Sequence, residues 1–250
     1  MKKKACEIRS EAWKALGENG QYLRYVAAAL LLGLVTMAAC IPLVGILVFG
    51  VGKSGIAPFL APGGSPEIGL FTDPSVMLPL LLSSFAFSLL VVYPIGYALW
   101  GNAAMAIAAM RRGITVGHAF SGWGHGWRMG WIMMVQMTYV SLWSLLLFVP
   151  GVVKAISYAM TKFVAIDHPD WSANRCIAES RRLMDGNKWR YFCLQLSFSG
   201  WVILVCVASY IPFAGSFVHW LFVPYYGAAK AAFYENLLDG DEPAPHEEAR

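Results

Sequence analysis

The chain has 250 residues, 58% of them hydrophobic and 14% charged, with a formal net charge of +4. Soluble globular proteins carry roughly 45–50% apolar and about 25% charged residues, so the composition excludes an ordinary soluble domain and points to a membrane protein. The small positive excess is not a nucleic-acid signal, because the basic residues flank apolar runs and form no stripe.

In chain order, Met1-Lys2-Lys3-Lys4 imitates a signal peptide, but the apolar run starts only near Tyr25 and is too long, so it reads as a retained span. Between them, Ala5, Ile8, Ala12, Trp13 and Leu16 share one helical face, opposite Arg9, Glu11 and Lys14. Residues 1–24 are therefore expected to hold a cytoplasmic amphipathic helix on the inner membrane surface. Span one covers about 25–49. The Gly/Pro-rich stretch 51–76 reads as an irregular loop. Its Gly52-Lys53-Ser54 is no phosphate loop, since Leu47 occupies the required glycine position. Span two covers about 77–100 and continues as helix to Arg112, with Pro79 and Pro94 as expected kinks.

Span three is placed at about 129–149, a tight turn at Pro150-Gly151, and span four at about 150–166. Residues 170–185 form a second amphipathic surface helix. Its apolar face is Ala173, Cys176, Ile177, Ser180, Leu183 and Met184, with Asp170 or Ser172 as its cap and Gly186 as its end. Spans five (about 189–211) and six (about 216–238) follow, and the polar tail 239–250 reads as disordered. The fold class expected is all-α, a polytopic bundle of six transmembrane helices with both termini cytoplasmic. Of the 19 Lys and Arg residues, all but Lys53 and Lys154 then lie on the N-terminal side. Fusing spans three and four would put Arg175, Arg181, Arg182, Lys188 and Arg190 outside, against the positive-inside rule.

Several motifs in the last ninety residues appear in a recognisable order: Pro150-Gly151 with Lys154, Ser157-Tyr158-Ala159-Met160, Glu179 to Met184, and Gly186-Asn187-Lys188-Trp189. Leu196-Ser197-Phe198, Gly200-Trp201, Pro224-Tyr225 and Ala232-Phe233-Tyr234-Glu235 complete the set. On these, residues 147–238 resemble the bacterial membrane family called domain of unknown function 975. Gln195 and Ser199 depart from it, where an acidic and an aliphatic residue would be expected. The resemblance implies a helical inner-membrane protein and carries no activity with it.

Lys154 is the most informative single residue, a charge within span four with no acid in that span. At mid-membrane such a charge costs about 2.5–3.5 kcal/mol, less where the side chain snorkels. It is a candidate anion or lipid-phosphate contact, and Tyr158, Gln195, His219 and Tyr225 are expected to gather near it toward the outer half. Arg175, Arg181, Arg182, Lys188 and Arg190 form an inner basic collar suited to anionic lipid. Ser197, Ser199 and Ser216 have no nucleophile elbow or orienting acid with His219, and His118, His125 and His168 lack metal-ligand spacing. Asp167 to Asp170 reads as a capping loop. No catalytic residue, metal or cofactor is expected. The reading is a non-enzymatic scaffold or accessory protein that binds lipid or a membrane partner. The alternative is a small transporter or lipid-handling protein with a site near Lys154.

Overall fold

The computed structural model describes residues 3–17, 20–53, 74–111, 113–210 and 214–240, and among them every regular element is a helix. The first half contains α1 (Ala5–Gly17), α2 (Gln21–Lys53), α3 (Pro74–Arg111) and the short α4 (Val116–Phe120). Then follow α5 (Gly126–Leu146), α6 (Phe148–Ser157), α7 (Thr161–Asp167) and α8 (Ala173–Leu183). The chain ends in α9 (Lys188–Ser197), α10 (Ser199–Ala208) and α11 (Ala214–Asp239). The expected loop is helical at 51–53 and 74–76; its centre, 54–73, and the tail from 241 lie outside the described residues.

Among the described residues, two stretches are long and apolar enough to cross a membrane, Gln21–Ala38 and Val149–Asp167. The pair α9 and α10 makes a third if its 41° bend is counted within one crossing. Span five is thus broken, not straight: Phe198 joins two helices whose carbonyl ladder is interrupted there. Span four is also two helices, because 158–160 separates α6 from α7. The turn between spans three and four falls earlier than expected, at Leu147, which adopts extended backbone angles. Pro150 sits instead in the first turn of α6, where a missing N–H leaves no carbonyl unsatisfied.

Among the described residues, burial is concentrated toward one end of the helices, the packed end. The packed end contains the buried core: Ile8, Leu16, Tyr25, Leu32, Met105, Met129, Phe163, Phe198, Phe233 and Tyr234. Tyr25 donates to the Asn102 carbonyl at 2.9 Å, and Phe163 stacks on Tyr234 with ring centres 5.5 Å apart. Away from it, several described apolar side chains are uncovered, including Leu145 (87% exposed), Val149 (70%) and Tyr210 (91%). Close helix contact at the packed end depends on glycine. A Cβ on Gly96 of α3 would run into the Gly126 carbonyl and the Gly130 backbone of α5, a small-xxx-small seam.

The apolar residues of α1 and α8 expected on a membrane-facing stripe face protein instead. Ile8, Ala12 and Leu16 of α1 are buried, and the helix packs on α11 and α9; only Trp13, 59% exposed, remains uncovered. In α8, Cys176, Ile177, Ser180 and Leu183 are buried against α7 and α5. The Ser180 hydroxyl donates to the Ser157 carbonyl at 2.9 Å and accepts from the Met160 N–H at 3.2 Å. It thereby satisfies backbone groups freed by the α6–α7 break. Ser172 caps α8, accepting from the Arg175 N–H at 3.4 Å, and Gly186 beyond its end has φ of +69°.

Candidate functional site: a basic cavity beside an apolar groove

Val149, Val152, Val153 and Ile156 follow one another at helical three- and four-residue spacing on α6. With Trp189 and Phe192 of α9 they wall an open apolar groove of about 460 Å³, which Lys188 also lines. Lys154, one residue past Val153, is turned about 100° further round the helix. It lines a neighbouring cavity of about 410 Å³ with Ser157, Ala178, Arg181, Arg182, Asp185 and Lys188. Val153 and Lys188 belong to both cavities, so an apolar trough opens directly beside a basic one.

The basic cavity brings four cations together with one carboxylate. Arg181 and Arg182 occupy the last turn of α8, where they complement the negative end of the helix dipole. Arg182 is ion-paired to Glu179 at 2.6 Å, and Lys188 approaches Asp185 at 3.8 Å, a weak, exposed pair. The Lys154 ammonium lies 4.6 Å from the centre of the Trp143 ring. That contact orients the amine without neutralising it. Phosphate is the natural complement: arginine forks match its oxygens and lysine adds point charge.

The expected outer cluster does not assemble around Lys154. Lys154 belongs with the collar residues Arg181, Arg182 and Lys188, because α6 turns back along α5 and reaches α8 within three turns. Tyr158 is buried at the α6–α7 break. Gln195 bridges two tyrosines, donating to Tyr191 at 2.6 Å and accepting from Tyr226 at 2.7 Å. Tyr225 accepts from Arg9 at 3.1 Å and packs edge-on against Trp13 and Phe198. His219 falls on α11, with its side chain outside the described residues. The collar divides too. The Arg175 guanidinium lies over the Trp171 ring at 4.1 Å. Arg190 turns inward to the Lys3 carbonyl, Asn187 and Asn236.

Three arginines outside the sequence-based set hold the packed end together. Arg111 grips Asp167 with two parallel bonds of 2.8 and 2.9 Å and Glu235 with a third at 2.7 Å, while Tyr234 donates to Asp167 at 2.9 Å. Hydrogen bonding to Asp167 raises the Arg111 pKa above its ordinary value, against the opposing effect of burial. Asp167 is thus part of a clasp joining α3, α7 and α11, and not merely a loop cap. Arg128 donates to the carbonyls of Ala165, His168 and Trp171, fixing the turn into α8. Arg9 ties α1 to the Ser197 carbonyl at the α9–α10 bend. Nothing local in the sequence marks these residues, since each partner is distant along the chain.

The class these features define is an all-helical protein with apolar helices of membrane-spanning length. The chain belongs to the family described as Protein of unknown function (DUF975), whose model matches residues 105–240, more than half of its length. That match begins well before the motifs at 147, so α5 and the end of α3 belong to the family's shared part. No curated protein and no solved structure matches the chain.

Proposed function

We propose that this protein is a non-enzymatic accessory protein of the bacterial inner membrane that holds an anionic phospholipid at the cytoplasmic face. The observation that carries this reading is the shared wall of the two cavities: an acyl chain fits the Val149–Phe192 groove while the phosphate meets Lys154, Arg181, Arg182 and Lys188. Anionic headgroups gain about 1 kcal/mol per nearby basic residue. The charge distribution supports both termini and the collar on the cytoplasmic side. Six crossings satisfy it. So do four crossings with α5–α6 turning back inside the bilayer, because either way residues 170–190 return to the side they left.

The test is native mass spectrometry of protein from mixed nanodiscs of phosphatidylglycerol and phosphatidylethanolamine, comparing wild type with Lys154→Met/Arg181→Gln. Removing two cations should lower retained phosphatidylglycerol about tenfold or more, from roughly 2 kcal/mol lost. Equal retention by the folded double variant would remove the cavity from consideration.

A further inference from the structure

The four cations of the basic cavity are not equally available to a ligand. Arg182 donates to Glu179 through both Nε and Nη2 at 2.6–3.1 Å, so its charge is already balanced. Lys188 faces Asp185 at 3.8 Å, and both line the cavity. Two cations remain. Lys154 sits in the last turn of α6 and Arg181 in the last turn of α8, and both line the same space of about 410 Å³. Neither side chain has a hydrogen bond or ion pair among the described residues. The Trp143 ring holds the Lys154 amine without cancelling its charge. Ser157, on the same wall, already donates its hydroxyl to the Val153 carbonyl at 2.8 Å. Recognition of a headgroup therefore falls to Lys154 and Arg181.

A ligand that cancels this excess carries two negative charges. The phosphate of a phosphodiester lipid carries one, on two terminal oxygens. A phosphomonoester carries about −1.5 to −2 at pH 7, on three. Three oxygens let the Arg181 fork take two while the Lys154 ammonium takes the third. Resting on the lipid reading above, we propose that the cavity selects a lipid phosphomonoester, of which phosphatidic acid is the simplest, over phosphodiester lipids with the same chains. Asp185 sets the upper limit, because its carboxylate lines the cavity and repels a third negative charge such as a lipid diphosphate brings. The apolar groove accepts an acyl chain of either lipid, so the discrimination lies at the phosphate alone.

The experiment is native mass spectrometry of the full chain from phosphatidylcholine nanodiscs holding equal parts of phosphatidic acid and its methyl ester, phosphatidylmethanol, with the same acyl chains. Wild type should retain phosphatidic acid about fivefold over the ester, the factor that one further charge beside a basic residue brings. Lys154→Met and Arg181→Gln should each retain the two lipids about equally. Asp185→Asn, at a side chain 84% exposed where the change does not disturb packing, should raise retention of the ester, because Lys188 loses its partner. Glycerol 3-phosphate at the same concentration should not displace the lipid, since it lacks the chain that fills the groove. Displacement would assign the cavity to a soluble phosphomonoester and overturn the lipid one. Equal retention of the two lipids by wild type, with both lost in Lys154→Met/Arg181→Gln, overturns the phosphomonoester and leaves the phospholipid site standing. Retention of both by that folded double variant removes the site and its selectivity together. A preference that persists in both single variants also overturns the proposal, since the selecting charges would then lie elsewhere.

Discussion

Arg111 shows how much of the packed end depends on one side chain. Its guanidinium spans three helices, and Asp167 has few alternatives once it leaves. Replacing it with methionine keeps the stem but leaves two partly buried carboxylates facing each other. The loss should be about 2 kcal/mol, since hydrogen bonds to charged groups contribute roughly 1.5–3 kcal/mol and the site is half open to solvent. Thermal unfolding in detergent measures it; an unchanged midpoint would mean the clasp is ornamental. Cys176 makes a second test at the same scale. Burial raises its thiol pKa, against the opposing influence of Arg128. A maleimide at neutral pH should therefore modify the exposed Cys6 well before Cys176, as read by mass spectrometry of the folded protein. Comparable rates would show that α8 opens readily. The thiol's burial was readable from the sequence, since Cys176 lies on the apolar stripe of α8. The Arg111 clasp was not, because nothing near residue 111 indicates positions 167 and 235.

At the scale of elements, local periodicity was legible and partners were not. The apolar faces of α1 and α8 follow from residue spacing alone, yet spacing cannot say whether a stripe meets lipid or another helix. Here both meet protein: α1 packs on α11 and α9, and α8 on α7 and α5. The α3–α5 seam gives this a measurable consequence. Helix propensity favours alanine over glycine by about 1 kcal/mol in a helix interior, so Gly96→Ala would stabilise α3 if the position were free. The added Cβ instead meets the Gly130 Cα at 2.9 Å and its N at 2.5 Å. Backbone cannot yield as a flexible side chain can, and overpacking of this kind costs about 1–3 kcal/mol. Gly96→Ala should therefore lower the unfolding midpoint, whereas Gly124→Ala, with nothing within 4 Å, should stay within about 0.5 kcal/mol of wild type. Equal effects at the two positions would mean that α3 and α5 do not cross at these glycines.

For the whole molecule, the depth of the α5–α6 hairpin decides how the chain sits in its membrane. The sequence reading takes it as two full crossings, and the positive-inside rule cannot test that, because a full hairpin and a shallow one return the collar to the same side. Geometry can. Leu147 forms the turn, and Lys154 lies seven residues on, about 10 Å along the helix axis. On the other leg, the Tyr139 hydroxyl donates to Asn174 of α8 at 3.3 Å, also close to seven residues from the turn. Thus α8 and its arginines lie across both legs about 10 Å below the tip. Val149 agrees with this placement, lining one groove with Trp189 and Phe192 at the start of α9 and not at its far end. If the cations of this cavity hold phosphates at the headgroup level, the tip penetrates about 10 Å of a hydrocarbon core roughly 30 Å thick. A cysteine placed at Leu145 or Leu147 in a cysteine-free background should then resist a membrane-impermeant maleimide added outside intact cells, while one at Lys53 reacts. Labelling of the tip from outside would establish two full crossings. It would also carry Lys154, Arg181 and Lys188 into the bilayer interior, where they could not receive a headgroup at the cytoplasmic face, and the lipid site would fall with the shallow hairpin.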